Sequence, residues 1–173
     1  MKLASLKADS RDGSLIVVDR ALERAVSAAA LAPSLRAALD DWDALAPGLK
    51  DLSDDLAVGH GTESFALDFA ALTAPLPRAA QFLDASGYLN HIELARRARG
   101  DSLPDTLETD PLMYQGASES LGGPRDPILA ADESWGIDFE AESAVVTGPI
   151  SMGATPAEAG EAIRLIMLIN DVS

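Results

Sequence analysis

The amino-acid sequence predicts an α+β protein in two parts, on three observations. Two short strand-like runs open the chain, at residues 2–7 and 14–19. Leucines and alanines at helical spacing follow them, and the second half carries longer strand-like segments. A proline-marked extended stretch at residues 72–78 separates the parts, so we predict domains at residues 1–73 and 74–173.

The N-terminal part is predicted to begin with a β-hairpin. Its two strands are joined by residues 9–13, in which Asp12-Gly13 gives the strongest turn signal. The alanine-rich residues 20–32 are predicted to be helical in part. Pro33 then suits the first turn of a helix.

Two further helices are predicted before the connector. Apolar residues recur at helical spacing over residues 35–45 and again over residues 49–56. Pro47 is expected to end the first helix and Gly59 to close the second. We interpret both apolar stripes as core, and we assign the N-terminal part no chemistry of its own.

Composition narrows the classes of function. The net charge is −15, with 28 acidic and 13 basic residues. This makes nucleic acid and anionic membrane poor partners and divalent cations reasonable ones. The absence of cysteine excludes thiolate metal sites, so any metal must be hard and bound by oxygen. The sequence shows neither a membrane-spanning apolar run nor the apolar core of a signal peptide, which predicts a cytoplasmic protein.

The second part opens with one aspartate and one histidine at short spacing. A strand is predicted at residues 79–83, just before Asp84, and a helix at residues 89–99, ending at Gly100. His91 lies near the start of this helix and is the natural candidate for proton transfer near neutral pH. A lone helical histidine is also commonly an ordinary surface or core residue.

The rest of the second part is predicted to be irregular until its last strands. Residues 101–133 carry several prolines and a Gly-Gly pair, and a stretch of this length is usually functional or disordered. Residues 155–158 (Thr-Pro-Ala-Glu) form a capping box that predicts a short helix. Residues 163–171 then predict a final apolar strand.

An acidic strand at residues 135–148 carries the strongest functional signal. Side chains alternate between the two faces of a strand, so Asp138, Glu140 and Glu142 share one face. In an acidic protein this face can simply be solvated, or the carboxylates can hold a cation that offsets their repulsion. The apolar residues that continue the segment predict an interior strand. Asp171, at the end of the other apolar strand, favours the cation site.

Four motifs, in their order and spacing, resemble those of the fumarylacetoacetate hydrolase family. They are the aspartate-aromatic-Glu-x-Glu strand at residues 138–142, the Asn-Asp-x-Ser strand end at residues 170–173, Asp84 with His91, and the Tyr-x-Gly at residues 114–116. The first part resembles the small N-terminal domain of many bacterial members. The resemblance implies that the second part begins a mixed β-roll, a β-sandwich that is incomplete at its C-terminus.

The resemblance also implies a metal site and a reaction. Glu140, Glu142 and Asp171 would be the ligands common to the family, Asp84 would be a fourth, and the ion would be Mg²⁺ or Ca²⁺. The implied reaction is hydrolysis of a carbon–carbon bond in a β-diketone or keto acid, such as fumarylacetoacetate or an acylpyruvate. His91 would take a proton from water while the metal acts as a Lewis acid.

The sequence matches the family's substrate-binding residues less completely than it matches the metal ligands. Tyr114 corresponds to the tyrosine of the substrate loop. Where the family has a second tyrosine, two residues after Asp84, this sequence has Ser86, and Tyr88 lies two positions further on as the other candidate for substrate binding. The sequence leaves undecided which of three arginines would replace an arginine of the family: Arg96, Arg97 or Arg99.

Chains of the family continue past the Asn-Asp-x-Ser strand and supply a glutamate that orients the histidine. We therefore expect this chain to be a weak catalyst or inactive alone, and the full-length form, an enzyme of aromatic amino acid catabolism, to be a homodimer. The alternatives are a non-catalytic fragment that binds a divalent cation or associates through an open edge, and an acidic interaction domain without a site. Lyase, hydratase and decarboxylase chemistry also occurs on this scaffold, so the resemblance does not fix the reaction.

Overall fold

The computed structural model describes residues 1–60, 63–118 and 121–173. They form two compact units, Met1–Asp126 and Pro127–Ser173. Short helices and small antiparallel sheets make up both units, which confirms the α+β class. The domain division between residues 73 and 74 stays a prediction. Within the described residues, no helix is both long enough and apolar enough to cross a membrane.

A five-stranded antiparallel sheet organises the first unit. Its strands are β1 (Lys2–Leu6), β2 (Ser14–Val18), β3 (Arg24–Ser27), β4 (Ser64–Ala66) and β5 (Leu72–Thr73), in the spatial order β4-β3-β2-β1-β5. The predicted hairpin is confirmed, since β1 pairs with β2 from Lys2↔Val18 to Leu6↔Ser14. Gly13 closes its turn with a φ of 70°, and a Cβ there would lie 2.7 Å from the Leu6 carbonyl oxygen.

The prediction that residues 20–32 are partly helical is wrong for residues 24–27, which form the strand β3. Asp19 follows β2, and one of its carboxylate oxygens accepts the Glu23 N–H at 2.9 Å. Leu22 adopts the left-handed conformation, with a φ of 62°, so the chain reverses into β3. Ala25 and Val26 are then buried on opposite faces of the sheet. Pairing with β2 on one side and β4 on the other outweighs the helical preference of the alanines.

Two consecutive helices cover the next part of the chain, α1 (Leu35–Asp40) and α2 (Trp42–Val58). The side chain of Ser34 caps α1, so Pro33 precedes the helix instead of occupying its first turn. The break between the helices falls at Asp41, and Pro47 lies inside α2, so the prediction that Pro47 ends a helix is wrong. Gly59 closes α2 in the left-handed conformation, as predicted.

The core of the first unit lies on both faces of the central strand β2. Alternation sends Leu15 and Val17 to one face and Ile16 and Val18 to the other, and all four are buried. Ile16 and Val18 pack with Ala25 and Leu72. The buried residues of the two helices complete the core: Leu35, Ala38, Leu49 and Leu56. Each apolar stripe therefore contributes to the core, as interpreted from the sequence, although its other apolar residues, such as Trp42, are half-buried.

The connector after β5 is fastened to the hairpin by polar contacts. The fully buried Ser5 donates its hydroxyl hydrogen to the Pro75 carbonyl at 2.8 Å. Arg78 donates two hydrogen bonds to the carboxylate of Asp12, at 3.0 Å and 2.6 Å. The Arg78 hydrogen bond holds the pKa of the Asp12 carboxyl below its usual value. The ion pair therefore stabilises the fold in its charged form.

This ion pair should make stability depend on pH. Because the pKa of Asp12 is lowered in the folded state, its contribution is present above the pKa of the unfolded chain and is lost as the pH falls below about 4. Arg78→Gln should therefore destabilise the protein at neutral pH and matter progressively less in acid. Urea unfolding of Arg78→Gln, Asp12→Asn and the double variant measures the coupling, and a coupling of zero at neutral pH would contradict the assignment.

The second half of the first unit holds one further helix and a small sheet. They are β6 (Leu83–Ala85), α3 (Leu89–Arg99) and β7 (Met113–Gln115), with β6 and β7 paired antiparallel. The helix matches the predicted bounds, and Gly100 ends it in the left-handed conformation. The strand predicted at residues 79–83 is displaced towards the C-terminus, because the backbone of residues 83–85 is the part that finds a partner in β7.

The second unit is a pair of long antiparallel strands joined through a short helix. These are β8 (Phe139–Thr147), α4 (Pro156–Glu161) and β9 (Ile163–Val172). The capping box at Thr155 and Glu158 is confirmed. The prediction of an interior strand is wrong, because none of residues 127–173, all of which the structure describes, is buried. Among the residues that the structure describes, each strand pairs only with the other, so neither outer edge has a strand partner there.

Candidate functional site

The acidic residues of β8 lie on its more covered face. Glu140 and Glu142 are half-buried, while their neighbours in sequence, Phe139 and Ala141, are exposed. Asp171 of β9 pairs directly with Glu140 across the strands. Because paired residues of an antiparallel sheet point to the same face, the three carboxylates share one side of the strand pair.

Two of these carboxylates approach closely. A carboxylate oxygen of Glu142 and one of Asp171 lie within 4.8 Å of each other. Oε1 of Glu140 accepts a hydrogen bond of 3.2 Å from the hydroxyl group of Ser173. Ser173 also accepts the Asp138 N–H at its carbonyl oxygen, at 2.7 Å, which fixes the end of β9 beside the start of β8. Sequence reasoning gave Ser173 no role, although it belongs to the quoted Asn-Asp-x-Ser motif.

Asp138 lies just before β8 and has a different role from the two glutamates. One of its carboxylate oxygens accepts the Phe139 N–H at 2.8 Å. This local bond orients the backbone as the strand begins. The structure thus gives Asp138 a local backbone contact, whereas the sequence predicted only that it shares a face with Glu140 and Glu142.

A β-bulge places Asp171 on the same face as the glutamates. Thr147 pairs with Ile163, but Val146 pairs with Leu165, so Arg164 is an extra residue in β9. With regular pairing from Ile163 onward, Asn170 would lie opposite Glu140, and Asp171 would point to the opposite face. Arg164 therefore sets the register of the acidic site from the far end of the strand.

The composition of the second unit is strongly acidic. Residues 127–173 contain eight acidic residues, and Arg164 is their one basic residue. Seven residues of extended strand, or roughly 20 Å, separate Arg164 from Asp171. Within residues 127–173, all of which the structure describes, no cationic side chain therefore lies beside Asp171. All-oxygen ligands of this kind suit a hard divalent cation such as Mg²⁺ or Ca²⁺.

The remaining predicted site residues belong to the first unit. Asp84 of β6 is half-buried and pairs directly with Tyr114 of β7, so these two side chains share a face of the small sheet. His91 is the third residue of α3 and is exposed. Tyr88 precedes this helix as its N-cap residue and is 67% exposed. That these residues join the carboxylates of the second unit stays a prediction.

The three arginines that the sequence left undecided lie in the last turn of α3. Positive side chains at this position complement the negative end of the helix dipole. Arg96 also donates a hydrogen bond of 3.4 Å to the Ser102 carbonyl oxygen, which links the helix to the segment that follows. Their structural contacts therefore stabilise the end of the helix, and the choice among them for a substrate contact stays open.

Two protein-family models together match nearly the whole chain. Residues 1–78 match the fumarylacetoacetase N-terminal domain 2, and residues 81–173 match the fumarylacetoacetate hydrolase C-terminal domain. The second match alone spans more than half of the chain, so the protein belongs to the fumarylacetoacetate hydrolase family. No curated protein matches the chain. Family membership supports hydrolase or lyase chemistry on this scaffold and the possibility of a bound divalent metal.

Proposed function

We propose that the protein takes part in metal-dependent hydrolysis of a carbon–carbon bond in a β-diketone acid, such as fumarylacetoacetate or an acylpyruvate. The observation that carries the proposal is the convergence of Glu142 and Asp171 within 4.8 Å, beside Glu140. Membership of the fumarylacetoacetate hydrolase family supports the reaction class.

The donor chemistry of the site fits the metal that this family implies. Glu140, Glu142 and Asp171 offer only carboxylate oxygens, which Mg²⁺ and Ca²⁺ prefer over nitrogen and sulfur ligands. We propose Asp84 as a fourth ligand, contributed by the first unit. When bound, such an ion supplies Lewis acidity towards the oxygens of a 1,3-dicarbonyl substrate.

The other proposed roles belong to residues around this cluster. His91 takes a proton from the attacking water, and its exposed position at the start of α3 leaves the imidazole accessible to water. Tyr114 lies opposite Asp84 in the small sheet, so a ligand at this aspartate is within reach of the phenol. Tyr88, exposed at the N-cap of α3, is the second substrate contact.

Hydrolysis of an acylpyruvate in the presence of Mg²⁺ tests the proposal. Under this proposal the wild-type chain gives weak but detectable turnover, which is lost in His91→Ala because no base remains at that position. His60→Ala is the matched control, since His60 is the other histidine of the chain and has no proposed role. Turnover that survives His91→Ala, or falls equally in His60→Ala, would refute the assignment of the base.

A cation-binding protein without catalysis is the second candidate. It is favoured by the position of the close carboxylate pair, which lies within the strand pair of the second unit and needs no contribution from His91. Mg²⁺ binding without turnover at any Mg²⁺ concentration would select this candidate. The absence of both Mg²⁺ binding and turnover would remove both candidates and leave an acidic domain without a site.

A further inference from the structure

Residues 121–126, here named the strap, lie along the outer edge of the first sheet. β5 is an edge strand, at the end of the strand order. The Ala71 carbonyl accepts the Lys7 N–H at 2.8 Å, so by alternation the Leu72 carbonyl points away from β1. Gly123 lies against this outward carbonyl, because a Cβ built on it would be 2.5 Å from the Leu72 oxygen. Such a close approach requires a residue without a side chain.

The strap has its own compact turn. The Asp126 N–H donates to the Gly123 carbonyl at 3.2 Å, with Pro124 in the position that favours such a turn. Oδ2 of Asp126 accepts the Gly123 N–H at 2.7 Å. The same carboxylate therefore closes the turn and keeps the Gly123 backbone in the shape that fits the sheet edge.

One ion pair fastens this turn to the sheet. Lys7, just after β1, donates from Nζ to Oδ1 of Asp126 at 2.7 Å and to the Ala70 carbonyl at 3.0 Å. The Lys7 hydrogen bond, followed by the Gly123 N–H, holds the pKa of the Asp126 carboxyl below its usual value. The two side chains are 50% and 34% exposed, so solvent and salt reach the pair.

We propose that the strap opens and closes over the edge of β5 as a local unit, and that the Lys7–Asp126 ion pair stabilises its closed state. Exposed ion pairs stabilise weakly, whereas the core beneath the sheet consists of fully buried side chains such as Leu15. Opening therefore costs much less than unfolding and responds to salt. The strap controls how firmly the C-terminal end of the first unit, beyond β7 and its Tyr114, is held to the N-terminal sheet. This inference does not depend on the metal site.

Limited trypsin digestion measures the opening directly. Arg125 is exposed within the strap, and a protease needs an extended segment, so cleavage after Arg125 reports the open population. We expect Lys7→Met to be cleaved there about two- to fivefold faster than wild type at low salt. Added salt should accelerate cleavage of the wild type and leave Lys7→Met unchanged. Gly123→Ala should accelerate cleavage more strongly, by about tenfold, because its methyl group collides with the edge.

Lys2→Met is the matched control, since Lys2 begins β1, at the opposite end of the strand from Lys7, and donates to the Arg20 carbonyl. It should behave as wild type, and the circular dichroism melts of all variants should show an intact core. Wild-type cleavage rates in both Lys7→Met and Gly123→Ala would overturn the proposal. Equal acceleration in Lys2→Met, or acceleration only alongside loss of the core, would also overturn it.

Discussion

Glu142→Gln should abolish the stabilisation that Mg²⁺ gives to the wild-type chain. Glutamine keeps the size of the side chain but removes one negative charge from the carboxylate pair with Asp171. At about 100 times the dissociation constant, a bound ion should stabilise the folded wild type by roughly 2.7 kcal/mol, and the variant should gain little of this. Melting curves with and without Mg²⁺ measure the difference.

Glu161→Gln is the control for this experiment. Glu161 ends α4, beside the start of β9, and is exposed. It is separated from Asp171 by most of the length of β9, so its substitution changes the net charge equally but leaves the acidic site intact. An Mg²⁺ response that is the same in Glu142→Gln and Glu161→Gln would show that the ion acts through general charge screening.

Leu49→Ala should destabilise the first unit by about 2–5 kcal/mol. The Leu49 side chain is fully buried on α2, which packs against the central sheet. Its truncation removes apolar contacts and leaves a cavity that the surrounding side chains fill only in part. Urea unfolding followed by circular dichroism measures the loss.

Val58→Ala provides the comparison on the same helix. Val58 is the last residue of α2 and is 68% exposed, so its truncation should change stability by no more than about 0.5 kcal/mol. A comparable loss in both variants would mean that stability depends on the helix as a local structure and not on its buried face.

Short sequence motifs correctly predicted the elements whose conformation depends on residues close together in the chain. The hairpin at Gly13, the helix end at Gly100 and the capping box at Thr155 each need a particular residue at one position. The strand at residues 24–27 was missed because its stability comes from pairing with β2 and β4, and β4 is distant from it in sequence. Pro47 was misread because the boundary between α1 and α2 falls earlier, at Asp41.

The sequence predicted the shared face of Glu140 and Glu142 but not the register in which β9 pairs with them. The alternation of β8 correctly placed Glu140 and Glu142 on one face. β9 is apolar on both faces, so its hydrophobic pattern does not indicate the register, that is, which of its residues lies opposite Glu140. The bulge at Arg164 decides this, and a bulge of one residue leaves no clear mark in such a sequence.

The central claim is that the carboxylates of β8 and β9 hold one divalent cation, and calorimetric titration of the chain with Mg²⁺ and Ca²⁺ tests it most directly. We predict one ion bound per chain, with affinity lost in Asp171→Asn and retained in Glu161→Gln. The absence of binding by the wild type, or binding that Asp171→Asn leaves unchanged, would contradict the claim.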